Sequence, residues 1–298
     1  MQGQRGRFVP FDLLTRDLNV GTFSAGGALV GQKVEDKIIP FLRAKSICGR
    51  LGATVITGLV PPTGTPVLTG DFSAQWMQES QAVTPADVSL AQVLTTPHRI
   101  SISLNASKLL SIQSSADFET VVATEASGKL FQALDQAALN GTGGAQPIGI
   151  LNAAGVSTVT FGGAATWGKI LDFEQDIGNA NADGPALGWA QSPNTRTRWK
   201  QIQRATGTST FLQNDDNTVA GYPSSMTTEL NSTNAGDQCV FGNWSDLAIG
   251  IFFDGVWISN DPYTRADLGE NKYTFHLYCD VSLRHPASFC ISTDSAAQ

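Results

Sequence analysis

AALNGTGGAQPIGILN, Ala137 to Asn152, is the stretch on which the fold turns. Its first residues end an apolar helical stripe, and Asn140-Gly141 supplies the stop. Gly141, Gly143, Gly144 and Pro147 follow in a Gly-rich stretch beyond that stop. NGTGGAQP is no phosphate cradle, because it lacks the Lys-Ser/Thr ending and follows a helix where a phosphate loop opens one.

Upstream, Phe118, Val122, Ala126, Leu130, Ala133, Leu134 and Ala137 recur at spacings of three and four, which predicts a helix from about Ala116 to Asn140. At about 1.5 Å per residue it is a rod of roughly 37 Å. Ser114 and Asp117 give a weak capping signal, and Asp117 and Glu119 suit the positive end of the helix dipole. Before it, Arg99 to Asn105 alternates as a strand with Ile100, Ile102 and Leu104 inward.

Between residues 57 and 104, Phe72, Ala74 and Trp76 alternate with Asp71, Ser73 and Gln75, and Val88 and Leu90 open a second alternating run after the tip-like ESQAVTPAD. The reading is a long two-stranded hairpin with one apolar face and nothing in its own segment to cover it. Isolated hairpins are marginal in water, so another subunit is the expected cover. Residues 1–33, with Arg5, Arg7, Arg16 and GTFSAGGALVG, carry no sustained period and read as an extended arm, followed by a short helix after Pro40.

Downstream, Val156 to Phe161 reads as a strand, and Trp167, Ile170, Leu171, Phe173 and Ile177 form a broad helical face. LGWAQS is a buried strand, and Ser192-Pro193 caps and opens a basic helix to about Ala205. Asp254-Gly255, between IGIFF and VWIS, signals a tight hairpin turn. Tyr273, Phe275, Leu277, Cys279, Val281 and Leu283 fill every second position of an antiparallel strand with one wet and one buried face. The fold class is α+β.

Only 15% of the 298 residues are charged against 41% apolar, so the chain folds and much of its surface is expected to face other protein. The net charge of −7 argues against general nucleic-acid binding, although an acidic wall can enclose DNA without sticking to it. No run approaches the roughly 20 apolar residues of a membrane span and no signal peptide opens the chain, so a soluble protein made in the cytoplasm is expected. Cys48, Cys239, Cys279 and Cys290 lie far apart without metal-ligand spacing and read as small buried hydrophobes.

Arg196, Arg198, Lys200 and Arg204 are interleaved with Trp199 and Ile202, which points to packing and a charged face in preference to DNA contact. Asp215, Asp216 and Asn217, and Asp261, Asp267 and Glu270, read as turn chemistry because neither set has calcium-loop spacing. His98, His276 and His285 form no acid–base pair with a G-x-S-x-G nucleophile. The expectation is no catalytic residue, no metal and no cofactor.

The order of a GGALV arm, LRAKS and LGATVITG, a Trp-containing hairpin, ISISL, a long helix, ALNGTGGAQPIGILN and a terminal RHPASFCI resembles the major capsid proteins of tailed bacteriophages with the Hong Kong 97 fold. The resemblance runs from about Arg7 to Ile291. It implies an N-terminal arm (1–50), an extended loop (51–105), a peripheral domain with its long helix (106–152), an axial domain (153–240) and returning peripheral strands (241–298). It also implies assembly with itself into pentamers and hexamers of an icosahedral shell around double-stranded DNA, put together in the bacterial cytoplasm. A portal, a separate scaffolding protein and decoration proteins are the implied partners. Structural and assembly roles then fall to Gly141, Gly143, Gly144, Pro147, Phe72, Trp76, Phe118, Leu130 and Leu134.

Two departures from the family stand out. No lysine occurs between Lys45 and Lys108, so the loop lacks the nucleophile with which some relatives weld neighbours by isopeptide bonds, and a non-covalent shell is expected. No long helical scaffolding region precedes the arm, so a separate scaffolding protein or a mature form is expected. The competing readings are an encapsulin-like compartment shell and, from another class, a monomeric carbohydrate-binding or carbohydrate-active protein.

Overall fold

The computed structural model describes residues 46–61, 63–68, 74–79, 89–109, 118–230, 232–233 and 236–295. The arm up to Lys45, the segment after Pro40 expected to be helical, and Phe72 lie outside the described residues.

The described residues open with a four-residue helix, Cys48–Leu51, closed by Gly52 in the left-handed conformation. Four strands follow: β1 (Thr54–Leu59), β2 (Thr63–Leu68), β3 (Leu90–Thr95) and β4 (His98–Ser107). The long helix occupies Phe118–Asn140. After it come β5 (Ser157–Thr158), a helix at Trp167–Asn179, β6 (Leu187–Gln191) and a helix at Pro193–Trp199. The remaining strands are β7 (Thr218–Val219), β8 (Tyr222–Met226), β9 (Ser232–Thr233), β10 (Gly236–Asp237), β11 (Cys239–Asn243), β12 (Leu247–Asp261), β13 (Glu270–Leu283) and β14 (Phe289–Ser292).

Two sheets make two cores. The four-stranded sheet runs β1-β12-β13-β4. Its central strand β13 buries Phe275, Leu277, Cys279 and Val281, every second residue, against Leu130, Leu134 and Ala138 of the long helix. The period of two meets the period of 3.6, and each covers the other's apolar face. The six-stranded sheet runs β5-β14-β11-β6-β8-β7, with Ile170, Phe173 and Ile177 of the Trp167–Asn179 helix in its core. Aromatic packing dominates there: Trp189 stacks on Phe241 with centroids 4.5 Å apart and meets Trp199 edge-on at 5.4 Å.

Local capping follows the sequence closely. Thr166 accepts a hydrogen bond from Lys169 N, and Ser192 Oγ accepts one from Thr195 N with Pro193 in the first turn.

Three sequence expectations are corrected. The Ser192-capped helix stops at Trp199, well short of Ala205. Trp199 is fully buried and donates its indole N–H to Ser295 O, and the chain doubles back so that Leu212 N bonds Ile202 O and the buried Leu212 joins the same core. Asp254-Gly255 is no hairpin turn, because β12 continues through it. The pairing moves from Ile251↔Cys279 to Val256↔Leu277, leaving an extra loop of backbone as a bulge, with Phe253 at φ 59° and Gly255 at φ 133°. Both flanks find partners on the same long strand β13, and this outcompetes the turn. Third, Trp76 is not on a hairpin strand, since Ala74–Gln78 is not strand, while the described hairpin pairs β2 with β3, Leu68 opposite Leu90 and Thr63 opposite Thr95.

Candidate assembly surfaces

The turn after the long helix is held by backbone approach as much as by backbone angle. Gly141 N donates to Ala137 O at 2.9 Å, Gly149 N donates to Gly141 O at 2.9 Å, and Thr142 bridges Ile148. A Cβ on Gly141 would lie 2.1 Å from Pro147 O and 2.5 Å from Ala137 O, so this glycine is required by contact. Gly143 and Gly144 are required by conformation, at φ 84° and 81°. Sequence reasoning missed Gly149, whose Cβ would sit 2.5 Å from Gly141 N and 2.6 Å from Ala137 O. It also missed Asn152, whose amide donates to the Asn140 carbonyl at the helix end (3.1 Å) and, beside the Gly149 N–H, to the Gly141 carbonyl (3.0 Å). Pro147 is buried inside the turn, and Leu130 and Leu134 are buried in the first core. Phe118 opens the helix, and its side chain is outside the described residues.

At the point where residues 1–45 join the body, the long helix presents a buried carboxylate. Asp135 accepts from Ser46 Oγ (3.0 Å), Ile47 N (2.9 Å) and Cys48 N (3.3 Å). It is only 3% exposed, and two of its three donors are the amides of the fully buried Ile47 and Cys48. Three donors satisfy a group that would otherwise be costly to bury.

The hairpin leaves the body by Val60 and returns at Thr96. Its leucines are exposed: Leu68 by 52%, Leu90 by 68% and Leu94 by 61%. Trp76, beyond the paired strands, is fully exposed. Exposed leucines clustered on a two-stranded ribbon are a surface that awaits a partner. The far half of β12 is similar. Trp257 and Ile258 are more than half exposed, and Phe253 meets Tyr278 edge-on at 5.9 Å.

The chemically suggestive residues of the sequence resolve into structure. Asp216 accepts from the Thr218 hydroxyl and amide, and Asp261 from the Thr264 hydroxyl and the Tyr263 and Thr264 amides. These bonds, the hydroxyls first, hold both carboxyls below their ordinary range. Arg204 stacks over Trp167 at 4.1 Å, and Arg196 bonds Asn217. All four cysteines are buried and free. Burial pushes the thiols of Cys239 and Cys279 up to about 12, which makes them poor nucleophiles. Among the described residues no cluster of three or more His, Cys, Asp or Glu could hold a metal ion. A cleft of about 560 Å³ lies between His98–Ser101, the last turns of the long helix and the glycine turn, and the charged or titratable groups lining it are His98 and Arg99.

One juxtaposition escaped the sequence reading, which left His98 without a partner. His98 Nδ1 stands 3.2 Å from Asp280 Oδ1, within ion-pair reach.

Solved structures follow the same chain path. The capsid of a native GTA particle superposes with a TM-score of 0.79 at 19% identity, covering 94% of this chain and 100% of that one. A chain from Mycobacterium phage Adephagia gives 0.73 at 14% identity, over 92% and 97% of the two chains. One from Gordonia phage Cozz gives 0.65 at 17%, over 91% and 93%. The architecture is thus the α+β Hong Kong 97-type capsid fold.

Residues 26–294 match the phage capsid family, and the chain belongs to it. It is 27% identical over 299 residues to the major capsid protein of Halomonas phage phiHAP-1, a match covering 98% of this chain and 49% of that protein. The chain therefore spans about half the length of this curated relative. Neither the encapsulin-like nor the carbohydrate-binding reading is favoured by these similarities.

Proposed function

We propose that the chain is a major capsid protein that assembles with itself, as pentamers and hexamers, into an icosahedral phage head enclosing double-stranded DNA. The role is structural, without catalytic chemistry or cofactor. The observation that carries this reading is the β2–β3 hairpin, whose leucines have no covering layer among the described residues of their own chain. A neighbouring subunit that buries them gains about 25 cal/mol per Å² of apolar surface, and repetition around a closed shell multiplies the gain. Family membership and the major capsid relative support the same conclusion.

On this reading the arm is 1–50, the extended loop 51–105, the peripheral domain 106–152 with returning strands 241–298, and the axial domain 153–240. Gly141, Gly143, Gly144 and Pro147 fix the path from the long helix to the axial domain, and Trp76 near the loop's tip contacts a neighbour. Phe72 shares that contact, while Phe118, Leu130 and Leu134 seat the long helix. A separate scaffolding protein, a portal and decoration proteins are the expected partners in the host cytoplasm, and the virion capsid is the destination.

Size-exclusion chromatography with electron microscopy of the purified protein tests the proposal. Closed shells eluting in the void volume are expected. A stable species near the 31.5 kDa of one chain, at every concentration and with scaffolding protein present, overturns it.

A further inference from the structure

Asp280 lies on β13 between two core residues, Cys279 and Val281, so strand alternation turns its side chain to the face away from the long helix. That face is wet along much of the strand, yet Asp280 is only 5% exposed. The cover is the root of the hairpin. Asp280 pairs in register with Gly250 of β12, and a Cβ on Gly250 would come 2.6 Å from Leu59 Cδ1 and 3.3 Å from Thr95 Cγ2. Leu59 ends β1 just before the outgoing hairpin strand and Thr95 ends the returning one. Both roots therefore sit on the backbone floor formed by Gly250, and Asp280 rises beside them.

The carboxylate holds the returning root directly. Asp280 Oδ2 accepts the N–H of Thr96 at 2.7 Å, and Oδ1 faces His98 Nδ1 at 3.2 Å. Thr96 and Pro97 are the two residues between β3, which belongs to the hairpin, and β4, which is paired along its length to β13. Pro97 has no N–H and a fixed φ, so the amide of Thr96 is the junction donor next to the proline. A short bond from a buried carboxylate to that amide fixes the angle at which the hairpin departs from the sheet.

We infer that Asp280, seconded by His98, is a positioning residue that pins the extended hairpin in the direction needed to reach a neighbouring copy. This deepens the capsid reading and rests on it. The pin acts on one appendage, because the Asp280 side chain lies on the face of β13 opposite the one that packs on the long helix.

Hydrogen exchange on full-length unassembled subunits, compared for wild type, Asp280→Asn and Asp280→Ala, tests it. Amides spanning 90–100 should exchange about tenfold faster in the Asn variant and faster still in the Ala variant, as expected for loss of a bond to a charged group. Amides of the second core, 187–199 and 239–243, should be unchanged. Both variants should yield fewer closed shells than wild type. Unchanged exchange at 90–100, a uniform rise across the body, or wild-type shell yield despite local loosening each overturns the inference. Should Asp280→Ala not fold, Asp280→Asn and His98→Gln carry the comparison. Wild-type protein that forms no shells sinks the capsid reading, while the exchange data still decide whether Asp280 pins the hairpin root.

Discussion

Replacing Asp135 by alanine removes the acceptor for three donors at the arm's exit, Ser46 Oγ, Ile47 N and Cys48 N. Ile47 and Cys48 are fully buried and water cannot easily replace the carboxylate. Each stranded backbone N–H costs about 1–3 kcal/mol, and the serine hydroxyl turns to another partner at little cost. Loss of about 2–6 kcal/mol follows, a large fraction of the stability of a typical domain. Asp135→Asn keeps one acceptor oxygen but turns an N–H₂ toward a donor, and should lose about half as much. Urea denaturation of unassembled subunits, followed by tryptophan fluorescence, measures both. The Cys48 thiol, kept protonated first by burial and then by the nearby Asp135 carboxyl, should react with a thiol reagent faster in the alanine variant. A loss below about 0.5 kcal/mol for Asp135→Ala, within the range of ordinary surface changes, would refute the claim that this carboxylate anchors the exit.

Gly149→Ala forces a Cβ into backbone atoms at 2.5 and 2.6 Å and should cost about 3 kcal/mol or more, whereas Gly144→Ala meets open space and should cost only the left-handed penalty of about 1–2 kcal/mol; thermal melts of the two variants should rank in that order. Burial, outweighing the amides of Thr96 and Val281 and the ring of His98, raises the Asp280 carboxyl above its unfolded value of 3.8. As pH falls through the raised value the native state takes up a proton that the unfolded chain still lacks, so wild type should gain stability relative to Asp280→Asn until about pH 4, and lose it again as pH rises; parallel denaturation series from pH 7 to 4 read the sign. Particles boiled in detergent should run as single chains, because the 51–105 segment has no lysine to form an isopeptide link, and a ladder of joined subunits would contradict this.

Elements whose cause is local were readable in the chain itself. The long helix, the β13 strand, the Thr166-adjacent helix face and the Ser192-Pro193 start each depend on neighbours three or four residues away, or two for a strand. The glycine turn was legible at Gly143 and Gly144 for the same reason, since positive φ is a property of one residue. What only the tertiary structure decided depended on distant partners. Asp254-Gly255 became a bulge because both sides of it found β13. The Ser192-capped helix ended at Trp199 because Ser295 and Leu212 hold it there. Gly149, Asp135 and Asp280 carry roles set by contacts to residues 8 to 184 positions away. A sequence states what each residue prefers; which distant donor or backbone atom comes to lie beside it is fixed only when the sheets close.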